Sequence, residues 1–311
     1  MHSLRLMNRR VLYIKASNSC NSRCFMCDSW RSKIDFIDDE HFNAILERMN
    51  GVQLVRFTGG EPLLCDNLSG YIKKCHSKGL YTSVITNGLL LNDRIDSLVS
   101  NGLNQIIVSI DGSHSELHDS LRGVPGLLNR ISIALERIAE AYPHLIIRAN
   151  TVVSAKNIYD LPNLAQWLCA HGVTQWSIIP IKLNGYKWAN HISLDDFIQA
   201  YENFLNATQK YTMNLLGYSS KWAINPIRFW EGTQRIHPID KCYYAQMVAY
   251  YDPFEERIFP CNCLPHRDST IVSREDNEFW EHEASLCQGC EPLNAWISDN
   301  HCNTKIPIFN F

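Results

Sequence analysis

No apolar run in the 311 residues approaches the ~18 that a helix crossing a bilayer requires, so no membrane span is expected. Charge of one sign is also missing: 29 Lys and Arg stand against 32 Asp and Glu, a formal net charge of -3. That excludes a broad basic surface for nucleic acid, and no nucleic-acid partner is expected. There is no internal repeat, no low-complexity block and no long run of charge. Residues 1–10 are too polar and basic for a signal peptide, and the chain reads as cytoplasmic. Hydrophobic residues make up 45%, so a full core can be buried and global disorder is excluded. At about 150 residues per domain, the length allows one large domain, or one with a small appendage.

What the chain has in quantity is cysteine. Twelve are many for a cytosolic protein and too sparse for a small disulfide-stapled scaffold. In a reducing compartment they point to metal or to chemistry.

Along the chain, β-leaning apolar runs alternate with amphipathic stretches. Strands are expected over 11–16, 53–58, 80–86, 105–110, 145–153 and 175–181, and helices over 38–50, 67–78, 92–101, 126–142 and 157–171. Gly79, Gly102 and Gly172 stand where three of these helices should stop. Such βα units require parallel strands with crossovers of one hand. Eight would close a barrel; six imply an α/β fold of the partial (β/α)6 barrel type, open on one side. Sites in such folds lie at the C-terminal strand ends. Beyond 184 the texture changes, with a capped helix over 193–211, an aromatic-rich segment to Pro238 and a hairpin of 248–251 against 257–259. The expected domains are the barrel at 1–184, a bridging helical segment at 185–241 and a small C-terminal module at 242–311.

Cys20, Cys24 and Cys27 follow the first strand, three thiols within eight residues. Zinc is one reading, although zinc prefers four closed ligands and no fourth is adjacent. Three cysteines on an iron-sulfur cubane instead leave one iron open to an external ligand. Cys-x3-Cys-x2-Cys after the first strand of a repeated βα chain resembles the radical S-adenosylmethionine (SAM) superfamily, nearly over the whole length. The resemblance implies a [4Fe-4S] cluster on Cys20, Cys24 and Cys27, with SAM on the fourth iron. SAM would be cleaved to a 5′-deoxyadenosyl radical that takes a hydrogen atom from the substrate. Met26 departs from the pattern, which often has an aromatic there; methionine is apolar and adaptable.

Gly59-Gly60-Glu61-Pro62 ends the second strand and resembles the family's GGEP motif, which meets SAM's methionyl ammonium. Two glycines there are read as leaving room for the cofactor's close approach. By the same resemblance Thr86 and Asn87 lie near the ribose. Ser109, Asp111, Arg122, Arg148 and Asn150 are candidates for SAM's carboxylate or ribose, and Ile179 for its adenine. Each has a plainer reading as a cap, a turn residue or an ion pair.

Cys242, Cys261, Cys263, Cys287 and Cys290 form a second concentration. The pattern resembles the twitch module, a shortened SPASM domain, and implies a second [4Fe-4S] cluster on Cys242, Cys261, Cys287 and Cys290. A zinc ribbon is the alternative. Cys263 has three open roles: ligand in place of Cys261, inert thiol, or hydrogen-atom donor to a substrate radical. Cys65, Cys75, Cys169 and Cys302 lack metal spacing and read as small buried hydrophobes.

Two clusters suit an oxidoreductase or an epimerase. The short stretch before Val11 leaves no room for a leader-binding domain, which favours a small sugar or aminocyclitol over a ribosomally made peptide. An external reductant such as flavodoxin or ferredoxin is expected. A zinc-stabilised binding module without catalysis is the competing class.

Overall fold

The computed structural model describes residues 10–180, 193–216 and 248–259. Six βα units lead the chain. The strands are β1 (Val11–Ser17), β2 (Leu54–Gly59), β3 (Tyr81–Thr86), β4 (Gln105–Ser109), β5 (Ile146–Val153) and β6 (Gln175–Pro180). The helices between them are α1 (Asp39–Leu46), α2 (Leu68–Ser77), α3 (Leu91–Ser100), α4 (Ser115–Arg122), α5 (Leu127–Ala141) and α6 (Leu161–Ala170). Then come α7 (Leu194–Thr208), β7 (Asn214–Leu216) and the hairpin β8 (Val248–Asp252) and β9 (Arg257–Phe259).

One sheet runs β7-β6-β5-β4-β3-β2-β1-β8-β9, parallel throughout except for the antiparallel hairpin. The partial barrel expected from the alternation is present. The hairpin also forms, but β8 lies parallel against β1 and extends the barrel sheet. Tyr13 stacks on Tyr250, ring centroids 6.4 Å apart, and Lys15 Nζ lies 2.8 Å from Asp252 Oδ2. These contacts dock the hairpin.

Strand residues alternate between two environments, as a pleat requires. Leu12, Ile14, Ala16, Val55, Phe57, Val84, Ile106, Val108, Ala149 and Trp176 join the helix-facing core. The opposite row is polar. Arg56, almost fully buried, donates to Ser83 Oγ at 2.8 Å, Tyr13 Oη at 2.9 Å and Gln105 Oε1 at 3.2 Å, and Gln105 passes the chain to Gln175 at 2.9 Å. A buried polar layer therefore crosses the barrel floor, each member satisfied by the next. Toward the C-terminal ends the row holds the half-buried Lys15, Thr58, Ile85, Ser109, Asn150 and Ile179.

Helix ends follow local chemistry. Asp38 caps α1 by accepting from His41 N at 2.8 Å, and Ser193 caps α7 by accepting from Asp196 N at 3.1 Å. Gly79, Gly102, Gly123 and Gly172, at positive φ, follow helices where the backbone turns left-handed. α4 is an addition to the expected elements. Its buried face is His118, Leu121 and Arg122, one leucine between two polar residues on a helix of only eight residues.

Candidate active site at the C-terminal strand ends

The loop after β1 carries Cys20, half-buried, Cys24, buried, and Cys27, exposed, all free thiols. It is clasped from two sides. On one, Gly60 N donates to Ser17 O at 2.8 Å and Glu61 N to Ser19 O at 2.9 Å. On the other, Arg23 N donates to Arg122 O and Phe25 N to Leu121 O, each at 3.1 Å, pinning the loop to the end of α4 on both flanks of Cys24.

This clasp gives the two glycines a role within the chain itself. A Cβ on Gly59 would collide with Ser17 O, and one on Gly60 with Ser19 O and the Cys20 amide. Gly59 also has φ +132°, where glycine is favoured. The space a side chain would need is filled by the backbone of Ser17 and Ser19, where β1 runs into the cysteine loop, so the glycines serve the loop's seating. Glu61 is fully buried. Its carboxylate accepts from Thr86 Oγ1 at 2.7 Å, Asn87 N at 2.7 Å and Leu63 N at 3.0 Å. Burial pushes it up to about 7, against the pull of those three donors. With both oxygens committed, Glu61 fastens the end of β2 to the end of β3, and Thr86 is spent on that bond.

Asn87 is carried toward the cysteines: its Nδ2 donates to Asn21 Oδ1 at 2.8 Å and lies 3.5 Å from Cys20 Sγ. Asp111, at the end of β4, is buried and forms an ion pair with the buried Arg122, Oδ2 to Nε 2.7 Å. Its Oδ1 accepts from Val152 N at 2.8 Å, and its backbone N donates to His118 Nδ1 at 3.1 Å. A backbone donor on Nδ1 leaves the proton on Nε2 of a neutral ring, and burial lowers the His118 pKa to about 3. Burial pulls the Arg122 guanidinium down, but Asp111 and Cys24 beside it outweigh that and raise it. The structure thus pairs Asp111 with Arg122 and sets Arg122 beside Cys24.

Arg148 is also buried and donates to Ser177 Oγ at 2.6 Å, deeper in the barrel than Asn150. Asn150 pairs with Ser109 across β4 and β5, half-buried, and its Oδ1 has no hydrogen-bond partner among the described residues. Ile179 is half-buried on β6. Ser109, Asn150 and Ile179 share the half-buried strip near the C-terminal strand ends.

The residues suit an iron-sulfur cluster with SAM. Three free thiols sit on one seated loop, and burial pushes Cys20 up to about 11 and raises Cys24, so loading the loop releases protons. The buried hydroxyls of Ser19 and Ser22 and the Asn150 oxygen lack partners among the described residues. Also among the described residues, no three His, Cys, Asp or Glu side chains gather around one ion position. A cubane presents its irons at separate corners and does not ask the thiols to share one point. Cys65 and Cys75 are buried as expected, whereas Cys169 is half-buried. Cys242, Cys261, Cys263, Cys287, Cys290 and Cys302 lie outside the described residues. Among those described, no helix is long and apolar enough to cross a membrane.

A sequence profile of the radical SAM superfamily matches residues 14–167. The GTP 3′,8-cyclase of Chlorobaculum tepidum is 30% identical over 176 residues, 53% of this chain and 52% of the relative. The PqqA peptide cyclase of Ruegeria pomeroyi is 28% identical over 146 residues, 46% of this chain and 38% of the relative. The chain therefore spans about half or less of these two curated relatives. Among solved structures, Streptococcus suis SuiB bound to S-adenosylmethionine superposes with a TM-score of 0.69 at 18% identity, covering 94% of this chain and 72% of that one. That likeness shows the same fold.

Proposed function

This chain belongs to the radical SAM superfamily, and on that premise we propose that it is an enzyme that oxidises or epimerises a carbon of a small polar substrate, such as a sugar or aminocyclitol. The observation that carries the reading is the cysteine loop, seated between the end of β2 and the end of α4 with Asn87 and Arg122 turned toward its sulfurs. When bound, a [4Fe-4S] cluster and SAM supply a 5′-deoxyadenosyl radical that takes a hydrogen atom from substrate.

The chain's own residues do the rest. Cys20, Cys24 and Cys27 would hold the cluster. Gly59, Gly60 and Glu61 keep that loop in register with β2 and β3. Asn150, with its unpartnered oxygen, together with Ser109 and Ile179, offers a polar and an apolar surface for SAM at the mouth. Lys15 and Thr58 extend the half-buried polar strip, which suits a substrate rich in hydroxyl or amino groups. A second cluster would sit on Cys242, Cys261, Cys287 and Cys290, and Cys263 would be a hydrogen-atom donor if the outcome is epimerisation. A flavodoxin or ferredoxin would supply electrons.

The likeness to the PqqA peptide cyclase favours a second reading, modification of a ribosomally made peptide. The test is 5′-deoxyadenosine formation by anaerobically reconstituted, reduced protein in deuterated water, with panels of sugars, aminocyclitols and peptides. Stimulation by a sugar or aminocyclitol supports the first reading; stimulation by peptides alone overturns it for the second. Solvent deuterium in the product that disappears in Cys263→Ala marks epimerisation, and its absence in wild type marks oxidation. Zinc in place of iron after anaerobic purification would return the chain to the binding-module class.

A further inference from the structure

We propose that Arg122, anchored by Asp111, is a positioning residue that raises the reduction potential of the cluster through the sulfur of Cys24. This rests on the reading of Cys24 as a cluster ligand.

The three cysteines have unequal surroundings. Cys20 receives neutral donors only, Ser22 N at 3.4 Å and Asn87 Nδ2 at 3.5 Å. Cys27 is exposed, with Ser29 Oγ at 3.3 Å. Cys24 is buried and faces a cation: Arg122 Nη1 lies 3.9 Å from its sulfur.

That approach is fixed several times over. The backbone bonds Arg23 N to Arg122 O and Phe25 N to Leu121 O bracket Cys24 against the end of α4. Gly123 lets the two backbones meet, since a Cβ there would strike Arg23 O. The guanidinium is held from the far side by Asp111, itself held by Val152 N at 2.8 Å. Asn157 Nδ2 secures the Asp111 carbonyl at 2.9 Å. A buried ion pair costs desolvation and is weak evidence of a stabilising role. One whose cation reaches a ligand sulfur has a further use.

Reduction adds one electron to the cluster. A cationic N–H beside a ligand sulfur favours the more negative state, and burial leaves that field poorly screened. Asp111 opposes the effect from beyond the guanidinium, whose Nη1 is the charged group that faces the sulfur.

The test is an EPR-monitored redox titration of the signal that responds to added SAM, with iron counted in each sample. Arg122→Lys keeps a partner for Asp111 but gives up the planar fork that reaches both groups. Asp111→Asn/Arg122→Met removes the pair without leaving a buried charge. Both should keep that cluster and lower its potential, the double variant by at least a tenfold shift of the one-electron equilibrium, about 59 mV. An intact cluster at wild-type potential in either folded variant overturns the inference. Should the double variant not fold, Arg122→Lys decides alone. Cys24→Ala separates the two claims: a full SAM-responsive cluster in that variant removes the premise, whatever the Arg122 variants show.

Discussion

Gly60→Ala should cost both stability and iron. The added Cβ would fall on Ser19 O, against the Cys20 amide. That neighbour is backbone, so relief requires the end of β1 to move away from β2. The motion breaks Gly60 N to Ser17 O and Glu61 N to Ser19 O. Each bond is worth about 1 kcal/mol net, and a buried group left unpaired costs about 1–3 kcal/mol more. A loss of roughly 3–5 kcal/mol follows, a large part of the 5–15 kcal/mol typical of a domain. Gly70→Ala is the control: it lies inside α2, nothing stands within 4 Å of its built Cβ, and it should stabilise by about 0.5–1 kcal/mol. Thermal melts and iron counts after anaerobic reconstitution read both effects. Gly60→Ala with wild-type melting and iron but weakened SAM binding would refute the reasoning, because the glycine would then face the cofactor.

His118 binds its proton less readily when folded, near 3 against the usual 6.5. Its contribution is whole above about 6.5 and is lost as pH falls toward 3, at about 1.4 kcal/mol per pH unit; His118→Gln should flatten that acid limb in urea melts. Glu61 shifts the other way: its folded pKa near 7 lies above the ordinary 4.5, so its contribution is full below 4.5 and is lost as pH rises through 7. Glu61→Gln should remove that alkaline slope, yet set an amide NH2 against donors, costing about 1–3 kcal/mol near pH 5. Lys15→Met should leave Asp252 buried without its cation, loosen the β8–β9 hairpin and speed its amide exchange before the rest of the sheet.

The six strands were legible because their apolar runs are bounded by residues with local meaning, Gly79, Gly102 and Gly172 above all. α4 was not, because it is short and two of its three buried residues, His118 and Arg122, are polar and owe their burial to Asp111 and the cysteine loop. The hairpin was readable as a local turn, whereas its seat against β1 depends on Tyr13 with Tyr250 and Lys15 with Asp252, contacts across more than two hundred residues. Three-residue β7 carries too little pattern to be seen. In the site, spacing was enough to single out Cys20, Cys24 and Cys27. Asp111 and Glu61 drew attention as polar residues just beyond strands and Arg122 as one further along the same connection; the bonds that hold them, Asp111 to Arg122 and Glu61 to Thr86 and Asn87, are not written in any strand or helix pattern.

The central claim is that the loop carrying Cys20, Cys24 and Cys27 is the catalytic centre. The direct measurement is 5′-deoxyadenosine formed from SAM by anaerobically reconstituted, reduced protein, alongside iron content, in wild type and in the Cys20/Cys24/Cys27 triple alanine variant. Wild type should hold about eight irons, as two four-iron cubanes, and form 5′-deoxyadenosine, while the variant should keep about four and form none. A triple variant that still cleaves SAM would contradict the account.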